Sequence, residues 1–96
     1  MRRDEILDVL GGHREELEQF GVKSLALFGS TARNEARVDS DVDILVEFAV
    51  PVGLFQFVDL KAYLEEMLGC PVDLVTPDAI KDKMRAQILK EAVYAI

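Results

Sequence analysis

The middle of the chain carries two short runs of sequence, LFGSTAR at residues 27–33 and SDVDILV at residues 40–46. In the first run an apolar stretch ends in a glycine and a serine, which predicts a strand that stops at Gly29 and a short helix that Ser30 caps. The second run alternates charged and apolar residues over 41–44, which predicts another strand. Together the two runs predict a strand, a tight turn, a short helix and a second strand.

Outward from this unit, the spacing of apolar residues predicts the remaining elements. We expect the first helix to be weakened by its two central glycines. The predicted elements in chain order are helix 6–20, strand 22–28, helix 30–36, loop 37–40, strand 41–48, helix 54–68, strand 71–75 and a helix that opens at Thr76-Pro77. This α-β-α-β-α-β-α order predicts an α+β fold with a small mixed sheet flanked by helices. Residues 92–96 are either a fourth short strand or a partner-binding tail.

The composition is typical of one small globular domain. Half of the 96 residues are apolar, which favours a packed core over disorder, and we expect a single domain over residues 1–96. Cys70 is the only cysteine, so an intrachain disulfide is excluded, which fits a reducing compartment. No apolar stretch has the length of a membrane span. We therefore expect a cytoplasmic protein that makes no contact with a membrane.

The charge balance bears on the class of partner. Eleven Lys and Arg against eighteen Asp and Glu give a formal net charge of -7. Such a field repels a phosphate backbone, so direct binding to nucleic acid is not expected. A nucleotide bound through metal ions is a different case, because carboxylates attract cations whose charge then reverses the local field.

Three aspartates are the candidate chemical groups. Asp41 and Asp43 stand two positions apart on a predicted strand, so they project from the same face and can share divalent cations. Asp73 lies in an otherwise apolar strand, where an unpaired buried carboxylate would be costly, and a metal ligand or a general base would explain it. Each also has an ordinary explanation, since the pair could face solvent near a loop and Asp73 could point to water from an edge strand.

The turn at Gly29 and Ser30 suits a phosphate group. Glycine lets a ligand approach the backbone, the helix N-terminus offers N–H groups, and the Ser30 hydroxyl can donate as well. Arg33, one turn further on, is placed to meet a triphosphate, and an exposed salt bridge to Glu35 or Asp39 is an equal alternative. Taken alone, the same two turn residues would be explained by an ordinary turn glycine and an ordinary helix cap.

The combined pattern resembles the signature of the DNA polymerase beta-like nucleotidyltransferase superfamily. The shared features are Gly29-Ser30, an interval of ten residues, Asp41-x-Asp43, and Asp73 in a later strand. The wider runs are similar to those of the minimal, MNT-type members, and the predicted order of elements covers nearly the whole chain. The resemblance implies the nucleotidyltransferase fold.

The resemblance also implies a role for each of these residues. In the family, the glycine-serine turn binds the triphosphate, two strand carboxylates hold magnesium, and a third carboxylate helps to activate the attacking hydroxyl. On this chain it implies that Gly29 and Ser30 bind ATP, with Arg33 beside them. It further implies that Asp41, Asp43 and Asp73 hold Mg2+, two ions in all, with Asp73 as the candidate base.

The acceptor is expected to lie on another protein. Larger members of the superfamily add a domain that binds the acceptor, and 96 residues leave no room for one. The resemblance to MNT-type proteins implies a HEPN-domain toxin as partner in a hetero-oligomer. It implies transfer of AMP from ATP to a hydroxyl of that toxin, a tyrosine, so that the chain acts as an antitoxin. The alternatives are a non-catalytic antitoxin or assembly subunit that masks its partner by binding, and a nucleotidyltransferase that acts on a small molecule or RNA.

Other polar residues are expected to serve the structure. His13 falls on the apolar stripe of the first helix and has no second His or Cys beside it, so we expect it to pack. Tyr63 and Tyr94 are expected to be packing or interface residues. A solvated helix face is expected to carry Lys81, Lys83, Arg85 and Lys90.

Overall fold

The computed structural model describes residues 2–35 and 41–96, and within these ranges it has five α-helices and four strands. The helices are α1 (Arg3–Gly11), α2 (Arg14–Gln19), α3 (Gly29–Ala32), α4 (Leu54–Leu68) and α5 (Asp82–Glu91). The strands are β1 (Val22–Leu27), β2 (Val42–Phe48), β3 (Val72–Val75) and β4 (Val93–Tyr94). The α+β class and the small mixed sheet are confirmed.

The four strands form one mixed sheet in the order β3-β2-β1-β4. β1 runs antiparallel to both β2 and β4, whereas β2 and β3 are parallel. A parallel pair needs a long crossover, and α4 supplies it between β2 and β3. The register places Asp43 opposite Asp73 across the parallel pair. The sheet therefore brings together two aspartates that lie thirty positions apart in sequence.

One face of the sheet forms the hydrophobic core. The fully or nearly buried core residues are Val22, Leu25, Leu27, Val42, Ile44, Val46, Val72 and Leu74 from the strands, and Ile6, Leu10, Leu17, Ala32, Leu60, Leu64 and Leu68 from the helices. Leu45 is also buried but lies outside this cluster, as expected for a side chain on the other face of β2. Asp43 shares the face of Leu45. The alternation of the strand therefore keeps its carboxylate out of the core.

The first helix is divided in two, and the prediction of one helix over 6–20 is wrong. α1 ends at Gly11, Gly12 forms its cap, and His13 has φ -116 and ψ 25, outside the helical region. Two adjacent glycines lower the helical preference enough for the chain to turn there. The same apolar stripe still reaches the core, because Leu10 and Leu17 are both fully buried. His13 donates from Nδ1 to the carbonyl of Val9 at 2.8 Å, which agrees with a packing role.

The segment after β3 also differs from its prediction. Thr76-Pro77 opens only a single 3-10 turn, Pro77–Ala79, and α5 begins at Asp82. Ile80 and Lys81 between them have extended backbone angles, so the helix cannot run through. Arg85 is half-buried and donates to the carbonyls of Pro77 and Ile80 at 3.1 and 3.3 Å. It does not belong to the solvated face on which it was expected.

The chain's last residues form the fourth strand. β4 pairs with β1 through Val93 opposite Leu27, and Ala95 N–H donates to Leu25 O at 2.8 Å. The strand alternative for 92–96 is thus confirmed. Tyr94 is exposed on this edge, while Tyr63 packs against Phe20 with ring centroids 5.1 Å apart.

The predicted loop 37–40, the helical position 36 and a salt bridge from Arg33 to Asp39 lie outside the described residues. In the two described ranges, no helix is both long and apolar enough to cross a membrane.

Candidate active site

Gly29 forms a turn that touches a carboxylate directly. Its φ is +59, in the left-handed region. A Cβ built on it would lie 2.8 Å from Oδ2 of Asp43, closer than Cβ contacts in real proteins. Only glycine satisfies both conditions. The backbone of the turn and the Asp43 carboxylate therefore lie in close contact, whereas the close approach predicted from the sequence was that of a ligand.

Two hydrogen bonds fix the turn to β2, one between backbone groups and one from the backbone to a side chain. Phe28 N–H donates to Asp43 O at 3.1 Å, and Asp43 N–H donates to Oγ1 of Thr31 at 3.0 Å. Thr31 is buried, with 1% of its surface exposed. Thr31 was not predicted to have a role. In the sequence it is only a hydroxyl residue in the first turn of a short helix, a pattern that usually indicates a local cap and not a bond to a distant strand.

The short helix α3 begins with donors that it cannot satisfy itself. Its first intrahelical donor is Ala32, which bonds to Phe28 O at 3.2 Å. The N–H groups of Gly29, Ser30 and Thr31 precede that bond and have no acceptor within the helix. The turn therefore carries three backbone donors and the Ser30 hydroxyl next to Asp43.

Asp41 and Asp73 are both close enough to Asp43, at the start of β2, for their charges to act on it. Asp43 is half-buried on β2, Asp73 is exposed on the neighbouring parallel strand, and Asp41 is exposed just before β2 begins. Residues in register on adjacent strands are separated by about 4.8 Å between strand axes. The structure thus brings Asp43 and Asp73 together with the Gly29-Ser30 turn, and Asp41 lies two residues away on the same strand.

The surroundings of Asp43 raise its pKa. Burial raises it above the ordinary carboxyl value, and the negative charges of Asp73 and Asp41 raise it further. A hydrogen bond from the Ser30 hydroxyl and the positive charge of Arg33 act in the opposite direction. Four of the residues predicted for the site, Ser30, Arg33, Asp41 and Asp73, therefore act on the carboxyl group of Asp43, whose ionised form is disfavoured overall.

Arg33 is held by carboxylates in this structure. Its Nε donates to Glu35 at 3.1 Å, and its Nη1 donates to Glu91 at 3.1 Å. The hydrogen bond with Glu35 and the charges of both glutamates raise the pKa of Arg33. The salt-bridge alternative predicted for Glu35 is therefore present. The bond to Glu91, from the other end of the chain, had no signal in the sequence.

The donor set at this site fits magnesium held jointly with phosphate. No three His, Cys, Asp or Glu side chains in the described part of the chain are arranged to hold a metal ion by themselves. Magnesium is usually bound by one or two carboxylates, with substrate phosphates and water completing its octahedral shell. Asp43, crowded by Asp41 and Asp73, presents carboxylate oxygens whose mutual repulsion a cation would relieve.

Comparison with known proteins gives a consistent result over almost the whole chain. The profile described as "Nucleotidyltransferase domain" matches residues 10–95. The protein adenylyltransferase MntA of Thermococcus cleftensis is 46% identical over 92 residues, which are 95% of this chain and 93% of that relative. A solved structure described as a minimal nucleotidyltransferase is 34% identical, covers 97% of this chain and 95% of its own, and has a TM-score of 0.84.

Two complexes show the same fold at lower identity. A toxin-antitoxin structure with AMP-PNP is 21% identical, covers 100% of this chain and 73% of its own, and has a TM-score of 0.72. A structure of the tri-AMPylated Shewanella oneidensis HEPN toxin in complex with MNT antitoxin is 19% identical, covers 94% and 71%, and has a TM-score of 0.65. At these identities the likeness establishes the fold alone.

Proposed function

We propose a specific reaction for this chain, which belongs to the nucleotidyltransferase family. The chain is a nucleotidyltransferase enzyme, and the proposal is that it transfers AMP from ATP to a tyrosine hydroxyl of a HEPN toxin, acting as its antitoxin. The observation that carries the proposal is the close approach of Gly29 to Asp43, which places the turn that we propose to bind phosphate against a carboxylate on which the charges of two other aspartates act. We also propose that residues 1–96 form a single domain.

The choice of ATP rests on the site and on the relatives. The Gly29-Ser30 turn offers backbone and hydroxyl donors to the β- and γ-phosphates, and Arg33 lines the same cleft as Gly29. The T. cleftensis relative is named a protein adenylyltransferase, and one structure of the same fold was determined with AMP-PNP. These names support AMP as the transferred group.

Magnesium is the cofactor that the donor set suits. Asp41 and Asp43 would hold it, with Asp73 as a third ligand. When bound, two ions would offset the negative charge of the phosphates and of the departing pyrophosphate.

The residues of the chain divide the remaining work. Ser30, Arg33 and the turn N–H groups orient the triphosphate so that its α-phosphorus faces the acceptor. The acceptor oxygen bonds to the α-phosphorus, and the bond from that phosphorus to the oxygen bridging the β-phosphate breaks. Pyrophosphate leaves with the electron pair, and the proton of the acceptor hydroxyl passes to Asp73. The exposure of Asp73 leaves it open to an acceptor that arrives from another molecule.

The identity of the acceptor rests on the partner complexes. One structure of this fold contains a HEPN toxin that carries AMP groups beside its MNT antitoxin. A toxin hydroxyl is the corresponding acceptor for this chain, and a tyrosine is our specific choice. A hetero-oligomer of the two proteins follows.

The test uses the purified chain, a HEPN partner, magnesium and ATP labelled in the α-phosphate. Label should move to the partner, stop when Asp41→Asn and Asp43→Asn are combined, and map to a tyrosine by mass spectrometry. The matched control is Asp59→Asn, which neutralises an exposed carboxylate on α4 and should leave transfer intact. Toxin that is silenced without label, and equally well by the Asp41→Asn, Asp43→Asn protein, would show that the chain masks its partner by binding.

A further inference from the structure

Arg33 forms an ion pair with a carboxylate that lies 58 positions further along the chain. Its Nη1 lies 3.1 Å from Oε2 of Glu91, the last residue of α5. Gln87 donates from Nε2 to the other carboxylate oxygen of Glu91 at 3.4 Å, so both oxygens are engaged. The Glu91 side chain is 30% exposed, against 65% for Glu35, the second partner of Arg33. Glu91 is therefore the partner better shielded from water, and its bond to Arg33 the less screened one.

This ion pair lies beside the phosphate-binding turn. A cleft of about 180 Å³ has Gly29 and Arg33 on one side and Gln87 and Glu91 on the other. Arg33 N–H also donates to Gly29 O at 3.2 Å, which ties the arginine to the turn. Arg33 therefore lies beside the turn that packs against Asp43. Glu91 thus binds a cation that belongs to the nucleotide site.

We propose that Glu91 sets the affinity of the nucleotide site, because its carboxylate occupies the Arg33 guanidinium that a terminal phosphate of ATP engages. The inference rests on the proposed function, in which Arg33 is a triphosphate ligand. Carboxylate and phosphate oxygens use the same N–H donors of arginine, so the two compete. Binding of the nucleotide requires Glu91 to withdraw, and loss of its ion pair weakens the net affinity for ATP.

If Glu91 competes with phosphate for Arg33, removing the charge of Glu91 should raise the affinity for the nucleotide. Removing a charge that merely supports the fold would leave affinity unchanged or lower it. Glu91→Gln should instead bind magnesium-ATP about two- to fivefold more tightly, the range expected when a partly exposed ion pair no longer has to be broken. Because the competitor is a phosphate, inorganic tripolyphosphate with magnesium should show the same gain, and adenosine should show none.

The experiment measures the Kd of each ligand by isothermal titration calorimetry. Glu18→Gln, at an exposed position of α2, is the matched control, since it removes the same charge away from Arg33 and should leave both affinities unchanged. In an Arg33→Gln background, Glu91→Gln should have no effect. Thermal unfolding of each variant verifies that it is folded.

The outcomes separate this inference from the proposed function. If the unaltered protein binds neither ATP nor tripolyphosphate, both fail. If it binds them and Glu91→Gln binds equally or more weakly, only the role of Glu91 is rejected. A gain of the same size in Glu18→Gln, or one that persists without Arg33, would also reject it, because net charge would then be the cause.

Discussion

Gly29 meets two separate constraints in this structure. Its backbone is left-handed, and the position of its missing Cβ is blocked by Oδ2 of Asp43. Gly69 meets only the first constraint, since its φ is +71 and, among the described residues beyond its neighbours along the chain, no atom lies within 4 Å of its Cβ position. The two glycines therefore allow backbone strain to be separated from collision with the carboxylate.

Gly29→Ala should lower the free energy of unfolding by more than the about 1–2 kcal/mol expected for a left-handed alanine. It should also reduce AMP transfer by about a hundredfold, because the turn and Asp43 must move apart. Gly69→Ala should show the backbone cost alone and keep its transfer activity. Chemical denaturation and the transfer assay measure the two effects, and equal losses in both variants would contradict the collision.

Ionised Asp43 destabilises the folded chain, and we propose that the same carboxylate serves the reaction. Its pKa is raised in the folded chain by burial and by Asp73 and Asp41. Between the ordinary carboxyl pKa and this raised value, the folded chain therefore holds more protons than the unfolded chain, and stability falls as pH rises through that window. Above the window the ionised carboxylate is a net cost.

Asp43→Asn should therefore be more stable than the unaltered protein at neutral pH and inactive in AMP transfer. We expect Tm to rise by only about 2 °C, since much of the carboxyl group is in contact with solvent that screens the repulsion. The difference should shrink as pH is lowered through the window. Melting curves over a pH series measure it, with Asp59→Asn as the control, and a lower Tm for Asp43→Asn at neutral pH would contradict the crowding.

Residue by residue, the sequence predicted the parts of the site with a familiar spacing. Gly29, Ser30, Asp41, Asp43 and Asp73 were all selected from local patterns. Thr31 and Glu91 were missed, since each acts through a bond to a residue 12 or 58 positions away. Local patterns carry no information about such partners.

At the scale of the elements, glycines lie at or just after the ends of three helices, α1, α2 and α4. Gly11 and Gly12 separate α1 from α2, and Gly21 and Gly69 follow α2 and α4 with positive φ. Gly11 differs from Gly21 and Gly69, because it is helical and a Cβ there would meet only Ala95 O at an ordinary 3.8 Å. Its glycine is not required by the backbone.

Gly11→Ala should raise the free energy of unfolding by about 0.4–1 kcal/mol, since alanine restricts the unfolded chain and fits the helix. Gly21→Ala is the contrasting variant. Its φ is +84 and the new Cβ would lie 3.2 Å from Gln56, so it should be destabilised. Urea unfolding of the two variants would refute this account if Gly11→Ala were the less stable.

The boundaries of elements were the least predictable feature at this scale. The apolar stripe of residues 6–20 was correct, but the helix it predicted is two helices, because a stripe survives a turn that keeps both halves against the core. The helix predicted from Thr76 starts at Asp82, since the backbone at Ile80 and Lys81 is extended. Periodicity defines a buried face more reliably than it defines the ends of a helix.

At the scale of the whole molecule, a chain of net charge -7 is proposed to bind a polyanion. The aspartates at the start of β2 add to that negative field, so ATP alone meets repulsion. With magnesium the local charge changes sign. Nucleotide and metal should therefore bind together or hardly at all.

Magnesium and ATP together should raise Tm, whereas either alone should have little effect. A ligand that binds only the folded state stabilises it by about 2.7 kcal/mol when its free concentration is a hundred times Kd. The protein with both Asp41→Asn and Asp43→Asn should lose the response, and the Asp59→Asn protein should keep it. Differential scanning fluorimetry with EDTA as a further control tests this, and an equal rise with ATP and EDTA would contradict the site.

The α+β class, the strands and the pattern of turn and carboxylates could be predicted from the amino-acid sequence, because these depend on neighbours within a few positions. The folded structure was needed to show that α4 crosses over to make β2 and β3 parallel, so that Asp73 lies in register with Asp43. It also decided that Gly29 touches Asp43 and that Arg33 bonds to Glu91. Those contacts join residues far apart along the chain. The hydrophobic effect, which packs the elements against a shared core, brings these residues together.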